Sequence, residues 1–124
     1  MQRLLLIGLA GLFGTLGRYA LAGAVSRRYG ESFPWGTLVV NVSGCFLAGL
    51  VFQLASEREL VGEAARTALL IGLLGGFTTF SSYGLQTFAL ARDGEFWLAA
   101  LNVTASNLLG LLMVWAGYAL ARAF

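Results

Sequence analysis

Four long apolar stretches, divided by short charged ones, organise this chain. They run over about Leu4–Ser26, Trp35–Ser56, Glu63–Ala91 and Phe96–Ala121. An α-helix rises about 1.5 Å per residue, so roughly 20 apolar residues cross a hydrocarbon core. All four stretches meet that length. Their connections hold most of the charge: Arg27, Arg28 and Glu31; Glu57, Arg58, Glu59 and Glu63; Arg92, Asp93 and Glu95. Pro34, the only proline, stands just before the second stretch, where a missing N–H costs little. Tyr29, Phe33, Trp35, Phe96 and Trp97 cluster near the ends of the stretches, as interfacial aromatics do. The pattern predicts an all-α membrane protein, with one multi-pass domain of four transmembrane helices over residues 1–124.

The third stretch is too long for a simple span. Within it stands Gly75-Gly76-Phe77-Thr78-Thr79-Phe80-Ser81-Ser82, two glycines followed by four hydroxyl residues. Glycine and short hydroxyl side chains are weak helix formers. The segment predicts a break in the third helix. Non-helical backbone survives at membrane depth only against protein or a wet cavity. The carbonyls and amides it frees are natural ion ligands, as in broken-helix transporters. The hydroxyls of Thr79 and Ser81 join that set.

Composition narrows the solvent and the chemistry. Hydrophobic residues make up 58% of the chain and charged residues 11%, against about a quarter charged in soluble domains. A soluble chain this short could not hide so much apolar surface. Histidine is absent, all eight basic residues are arginine, and Cys45 is the single cysteine. That removes histidine acid–base catalysis, most zinc sites and any intramolecular disulfide. With no evident nucleophile–base pair or metal cluster, the chain is not expected to be an enzyme. Cys45, in an apolar run, reads as a small buried residue. The net charge of +2 comes from scattered arginines with no basic stretch, which suits membrane lipid and not nucleic acid. The run Met1–Ser26 is too long for a signal peptide and precedes no convincing cleavage site, so it reads as a retained helix.

Alternate connections carry nearly equal positive charge. The N-terminus, the second connection and the C-terminus hold Arg3, Arg58, Arg66 and Arg122; the other side holds Arg27, Arg28 and Arg92. The bias that orients a membrane protein is about nil. Such a chain can insert both ways, which permits an antiparallel dual-topology dimer about a two-fold axis in the membrane plane. Small residues recur at close-packing spacing: Gly8, Gly11, Gly14 and Gly17; Gly44 and Ala48; Gly72 and Gly76. They serve packing within one chain, or packing and dimerisation together.

A few polar residues lie inside the spans. Arg18 is deep in the first helix, with no acidic residue well inside any span to pair with it. It either snorkels to the interface or faces an aqueous vestibule that gathers anions, and the missing partner favours the vestibule. Thr37 and Asn41 stand one turn apart on one face of the second helix. As neutral donors they either hold a permeating anion weakly enough to release it, or bond another helix. Phe77 and Phe80 flank Thr78 and Thr79, and ring edges are electropositive, although a membrane phenylalanine ordinarily just packs. Asn102, Ser106 and Gly110 make one stripe on the fourth helix, either a pore wall or a contact seam.

Three segments, in this order, carry a resemblance: Gly14-Thr15-Leu16-Gly17-Arg18-Tyr19, Pro34-Trp35-Gly36-Thr37-Leu38-Val39-Val40-Asn41 and Gly75-Gly76-Phe77-Thr78-Thr79-Phe80-Ser81. Over essentially its whole length the chain resembles the Fluc (CrcB) fluoride channel family. The resemblance implies passive, selective export of fluoride through two pores of an antiparallel homodimer in the bacterial inner membrane. It implies that Asn41 contacts fluoride, that Phe80 and position 83 line each pore, and that Arg18 belongs to the vestibule and Ser106 to the pore. Position 83 is Tyr83, which keeps the ring edge and adds a hydroxyl. A structural Na⁺ on the dimer axis, held by the backbone carbonyls of Gly75 and Thr78, is also implied. Asn102 and Gly110 stand where some members carry tyrosine and serine.

Two other classes compete. A small proton-coupled multidrug exporter shares the four-helix plan but needs a membrane-embedded carboxylate. All six acidic residues here lie in or beside connections. A non-conducting structural subunit explains the glycine stripes but not the polar break.

Overall fold

Each apolar stretch is helical, and the charged residues between them form short connections. The computed structural model describes residues 1–124 apart from the side chain of Ser56. Helix α1 spans Gln2–Tyr29. Helix α2 spans Trp35–Val51 and continues as wider π-helical turns over Phe52–Glu57. The third stretch is composite: α3 (Glu63–Thr67), π-helical turns over Ala68–Leu74, α4 (Gly75–Phe77) and α5 (Phe80–Arg92). Helix α6 spans Phe96–Arg122. The runs Gln2–Tyr29, Trp35–Ala55, Glu63–Arg92 and Phe96–Arg122 are each long and apolar enough to cross a membrane.

Most large apolar side chains face outward. Leu4, Leu5, Leu12 and Phe13 on α1, and Leu111, Leu112 and Trp115 on α6, are exposed. The buried apolar core is confined to Phe33, Leu38, Val40, Ala55, Leu74, Ala99 and Ala121. In water this exterior would be one continuous adhesive patch. Against lipid it costs nothing, and helix association falls to close van der Waals packing and interhelical hydrogen bonds.

Glycines provide that closeness. Helix α2 packs most extensively on α6, while α1 packs on the Ala68–Leu74 turns and on α4. A Cβ at Gly49 would overlap the Val114 carbonyl, and one at Gly117 would overlap the Phe46 carbonyl. On the other seam, a Cβ at Gly76 would lie 2.6 Å from the Gly11 carbonyl oxygen, and one at Gly14 would overlap the Leu73 carbonyl. Gly8 faces open space within the chain, so only part of the α1 stripe is used here. The α2–α6 seam is not evident from the close glycine spacing seen on α1, because its glycines, Gly49, Gly110 and Gly117, are widely spaced.

Gly75 and Gly76 are themselves helical. The residues that leave the helix are Thr78 (φ −81°, ψ 159°) and Thr79 (φ −149°, ψ 112°), both extended. Gly76 therefore serves packing against α1 and not backbone bending. Gly30 (φ 82°) and Gly94 (φ 84°) follow α1 and α5 with the positive φ that glycine takes most readily.

At one end of the bundle Arg3 pairs with Glu63 at 3.0 Å. There also Arg58 Nη2 donates to the Arg122 carbonyl at 3.0 Å, and the Tyr118 hydroxyl donates to Glu57 Oε2 at 3.1 Å. The N-terminus, the second connection and the C-terminus thus share one end. Replacing Gly49 or Gly117 by valine should force α2 and α6 apart and cost about 1–3 kcal/mol. Gly8→Ala should cost far less. Unfolding by SDS titration in mixed micelles measures both, and equal losses at all three positions would refute the seam.

Candidate functional site

The extended residues Thr78 and Thr79 cannot complete the helical hydrogen-bond ladder, so other groups must. Asn41 on α2 does this for Thr79. Its Nδ2 donates to the Thr79 carbonyl at 2.9 Å, and its Oδ1 accepts from the Thr79 N–H at 2.8 Å. A carboxamide offers a neutral donor and acceptor side by side at any pH, and this reciprocity also settles which way the amide points. Thr79 is buried. Without Asn41 both of its backbone groups would be orphaned in a membrane span. Among the described residues one of the two N–H bonds of Nδ2 has no acceptor.

Thr79 also caps the following helix. Its Oγ1 accepts from the Ser82 N–H at 3.2 Å, donates to Ser82 Oγ at 3.0 Å, and lies 3.3 Å from Ser81 Oγ. A threonine at this position satisfies one of the orphan donors that open every helix. Thr78 closes α4 in turn: its N–H and its Oγ1 each donate to the Leu74 carbonyl at 2.9 Å.

Two carbonyls lose their helical donors as a result. The Thr79 N–H would serve Gly75 in a continuous helix but serves Asn41 instead. The Ser82 N–H would serve Thr78 but serves Thr79 Oγ1. Among the described residues the carbonyl oxygens of Gly75 and Thr78 have no hydrogen-bond donor. Both residues line a cavity of about 400 Å³ that also holds Asn41, Phe80, Tyr83 and Ser106. Neutral oxygen donors of this kind suit a hard cation.

A second cavity, of about 680 Å³, holds Arg18, Thr37, Ser82 and Gln86. Arg27 and Glu31 stand on its wall as well, so arginines outnumber carboxylates there. No carboxylate pairs with Arg18 among the described residues. Thr79 lines both cavities. The Asn41–Thr79 crossing therefore stands between a basic chamber and a chamber lined by neutral donors and rings. At the far end of the bundle, the hydrogen bond from Arg92 to Asp93 (2.8 Å) holds that carboxyl below its ordinary value.

The family model described as "CrcB-like protein, Camphor Resistance (CrcB)" matches residues 5–118. The chain is similar to proteins named "Fluoride-specific ion channel FluC". That of Geobacter sulfurreducens is 49% identical over 122 residues, covering 98% of each chain. That of Opitutus terrae is 50% identical over 120 residues, covering 95% of this chain and 91% of its own. That of Solibacter usitatus is 49% identical over 121 residues, covering 98% and 99%. The chain belongs to the CrcB family.

For this CrcB-family chain the structure divides the sequence-derived set. Asn41, Thr78, Thr79, Gly75, Phe80, Tyr83 and Ser106 gather at the smaller cavity. Arg18 and Thr37 gather at the larger one, so Thr37 and Asn41 open to different chambers despite their one-turn spacing. Ser81 is exposed and touches only Thr79 Oγ1 among polar partners. Phe80 is 83% exposed on the flank of the chain, its ring 5.4 Å from that of Tyr83. Phe77 packs between Gly17 and Gly44. Cys45 is half-buried and lines the smaller cavity, in place of the full burial expected of it.

On α6, Asn102 is buried and bonds Thr87 of α5 at 2.8 Å, which makes it a contact seam. Ser106 opens to the cavity, its hydroxyl 3.4 Å from Asn102 Oδ1. Sequence reasoning missed Ser82 and Gln86. Ser82 Oγ accepts from Thr79, so its own proton is free at the basic chamber. Gln86 lines the same chamber, with Oε1 buried and unpartnered. A glutamine one turn beyond Ser82 in an apolar span was the available signal.

Asn41→Leu should orphan both backbone groups of Thr79 and cost about 2–4 kcal/mol. Thr79→Val should cost about 1 kcal/mol through loss of the cap, and Thr79→Ser should restore it. SDS unfolding gives the energies. Hydrogen exchange at the Thr79 amide should rise in Asn41→Leu, and unchanged protection would refute the pairing.

Proposed function

We propose that this protein is a passive fluoride channel of the bacterial inner membrane. It works as an antiparallel dual-topology homodimer with two pores and exports fluoride from the cytoplasm. The observation that carries the reading is the Asn41–Thr79 crossing between the two chambers, in a chain whose relatives are named as fluoride-specific ion channels. Fluoride is small and strongly hydrated, so its path must replace water with donors held close together. Full positive charge at that point would trap the ion; neutral donors release it.

The steps follow from the residues. Arg18 raises anion concentration in the larger chamber. Thr37 and Ser82 offer hydroxyls along that wall, and Ser81 stands beside Thr79. The uncommitted N–H of Asn41 meets the ion at the crossing. Phe80 and Tyr83 then present ring edges, and Ser106 lines the same wall. Phe80 is exposed in the single chain, and a second copy covers it in the proposed dimer.

A structural Na⁺ fits the freed carbonyls of Gly75 and Thr78. In a two-fold dimer the same carbonyls of both chains would hold the ion. Gly75 and Thr78 would hold it through carbonyl lone pairs that the Asn41 and Thr79 bonds leave without donors. A proton-coupled drug exporter is disfavoured because the acidic residues lie at the bundle ends, Glu57 and Glu63 bonded to Tyr118 and Arg3.

Proteoliposomes loaded with fluoride test the reading. The wild type should release fluoride while chloride stays inside, and retained fluoride would overturn the proposal. Asn41→Asp should abolish efflux, since a carboxylate repels the anion and cannot donate to the Thr79 carbonyl. Fluoride flux at the wild-type rate through a folded Asn41→Asp would contradict the assigned role. Elemental analysis of protein purified in sodium buffer should find a sodium ion shared between two chains, lost in a variant that removes the extended residues.

A further inference from the structure

We infer that the Tyr83 hydroxyl is a hydrogen-bond donor in the anion path, aimed by Asn107, and that this pair sets how tightly the path holds fluoride. The inference rests on the fluoride-channel reading and deepens it.

The register of α5 against α6 places the pair. Asn102 Nδ2 donates to Thr87 Oγ1 at 2.8 Å, and Thr87 Oγ1 donates to the Tyr83 carbonyl at 2.8 Å. Asn102 is only 2% exposed, so this bond locks the antiparallel seam. One turn further along α6, and one turn back along α5, Asn107 meets the Tyr83 ring. Asn107 Nδ2 donates to the Val103 carbonyl at 2.8 Å and to Tyr83 Oη at 3.3 Å. A carbonyl only accepts, so the Val103 contact requires nitrogen on that side of the amide. Both hydrogens of Nδ2 are then committed.

The phenol oxygen consequently accepts from Asn107. Its own hydrogen has no acceptor among the described residues. Tyr83 and Asn107 line the same cavity as Asn41, Phe80 and Ser106. The hydroxyl of Ser106 is turned toward Asn102 Oδ1 at 3.4 Å, which leaves Tyr83 as the hydroxyl on this wall with a free proton. An O–H whose oxygen already accepts a hydrogen bond is a stronger donor. It carries no charge, so it adds to the solvation of an anion without trapping it. A phenylalanine at this position offers a ring edge alone. Asn107 acts through Tyr83 and is a positioning residue.

Fluoride efflux from proteoliposomes, measured across fluoride concentrations, tests this with wild type, Tyr83→Phe, Asn107→Ala and the double variant. Tyr83→Phe should raise the half-saturating fluoride concentration about tenfold, the loss expected for one hydrogen bond to an ion. Asn107→Ala should raise it about threefold, and the double variant should match Tyr83→Phe, because Asn107 has no effect once the phenol is gone. Asn107→Leu, closer in volume, replaces Asn107→Ala if that variant fails to elute as folded protein. Unchanged half-saturation in Tyr83→Phe, or effects that multiply in the double variant, overturns the inference while leaving the channel reading intact. Absence of efflux from the wild type overturns the channel reading and this inference with it.

Discussion

The amide of Asn41 does for Thr79 what a neighbouring turn does for a helical residue. It accepts one backbone proton and returns another, 2.8 and 2.9 Å away. In water such an exchange would be nearly neutral, because solvent could take over either bond. At a buried residue inside a span solvent does not readily take over, and each orphaned group costs several kcal/mol. The side chain is therefore what lets the backbone be extended at that depth. The consequence runs outward from there. Because Thr79 turns to Asn41 and Ser82 turns to Thr79, the carbonyls of Gly75 and Thr78 are released together. The side chains of Asn41 and Thr79 together thus create the neutral-donor crossing and the oxygen pair that suits a hard cation.

That constraint needs close helices, and the glycines meet it. Asn41 reaches Thr79 only because α2 lies against the third stretch at Gly44, whose missing Cβ leaves room for Thr78 and Phe77. The third stretch is in turn held to α1 through Gly11, Gly14, Gly72 and Gly76. In lipid, where apolar burial gives no net drive, shape at these contacts is the main source of specificity. Leucines on the outer faces remain free to meet acyl chains or another protein surface.

Helix number, length and placement were legible because a bilayer imposes them: apolar length is set by membrane thickness, and charges collect at the ends. Asn41, Thr79, Phe80, Tyr83 and Ser106 line one cavity, whereas Arg18, Thr37 and Ser81 of the same expected set do not. Other features were hidden for physical reasons. Gly75-Gly76 suggested bending, yet the glycines are helical and the threonines extended, since propensity does not reveal which carbonyl a neighbouring helix will approach. Thr37 and Asn41 share a helical face but open to different chambers, because the crossing itself divides them. Gln86 and Ser82 escaped notice because a lone polar residue gains meaning only from what lies opposite. The α5–α6 register, set by Asn102 and Thr87, is a pairing between helices and has no periodicity of its own.

Hydrogen bonds along this wall have direction, and direction decides what an ion would meet. Asn102 gives its proton to Thr87, and Thr87 gives its own to the Tyr83 carbonyl. Ser106 turns its proton toward Asn102. The Thr87 and Ser106 protons and one Asn102 N–H are spent within the protein, which ties α5 to α6 along this seam. Asn107 runs the other way: by donating to the Tyr83 oxygen it occupies one acceptor site of that phenol and leaves its proton free to donate. The uncommitted N–H of Asn41 is likewise a donor with its acceptor side already used by Thr79. Donors whose oxygens already accept a hydrogen bond are biased toward presenting a proton to an incoming anion. A neutral wall can in this way be electropositive in effect, at the points where two amides, from α2 and α6, hold their neighbours in place.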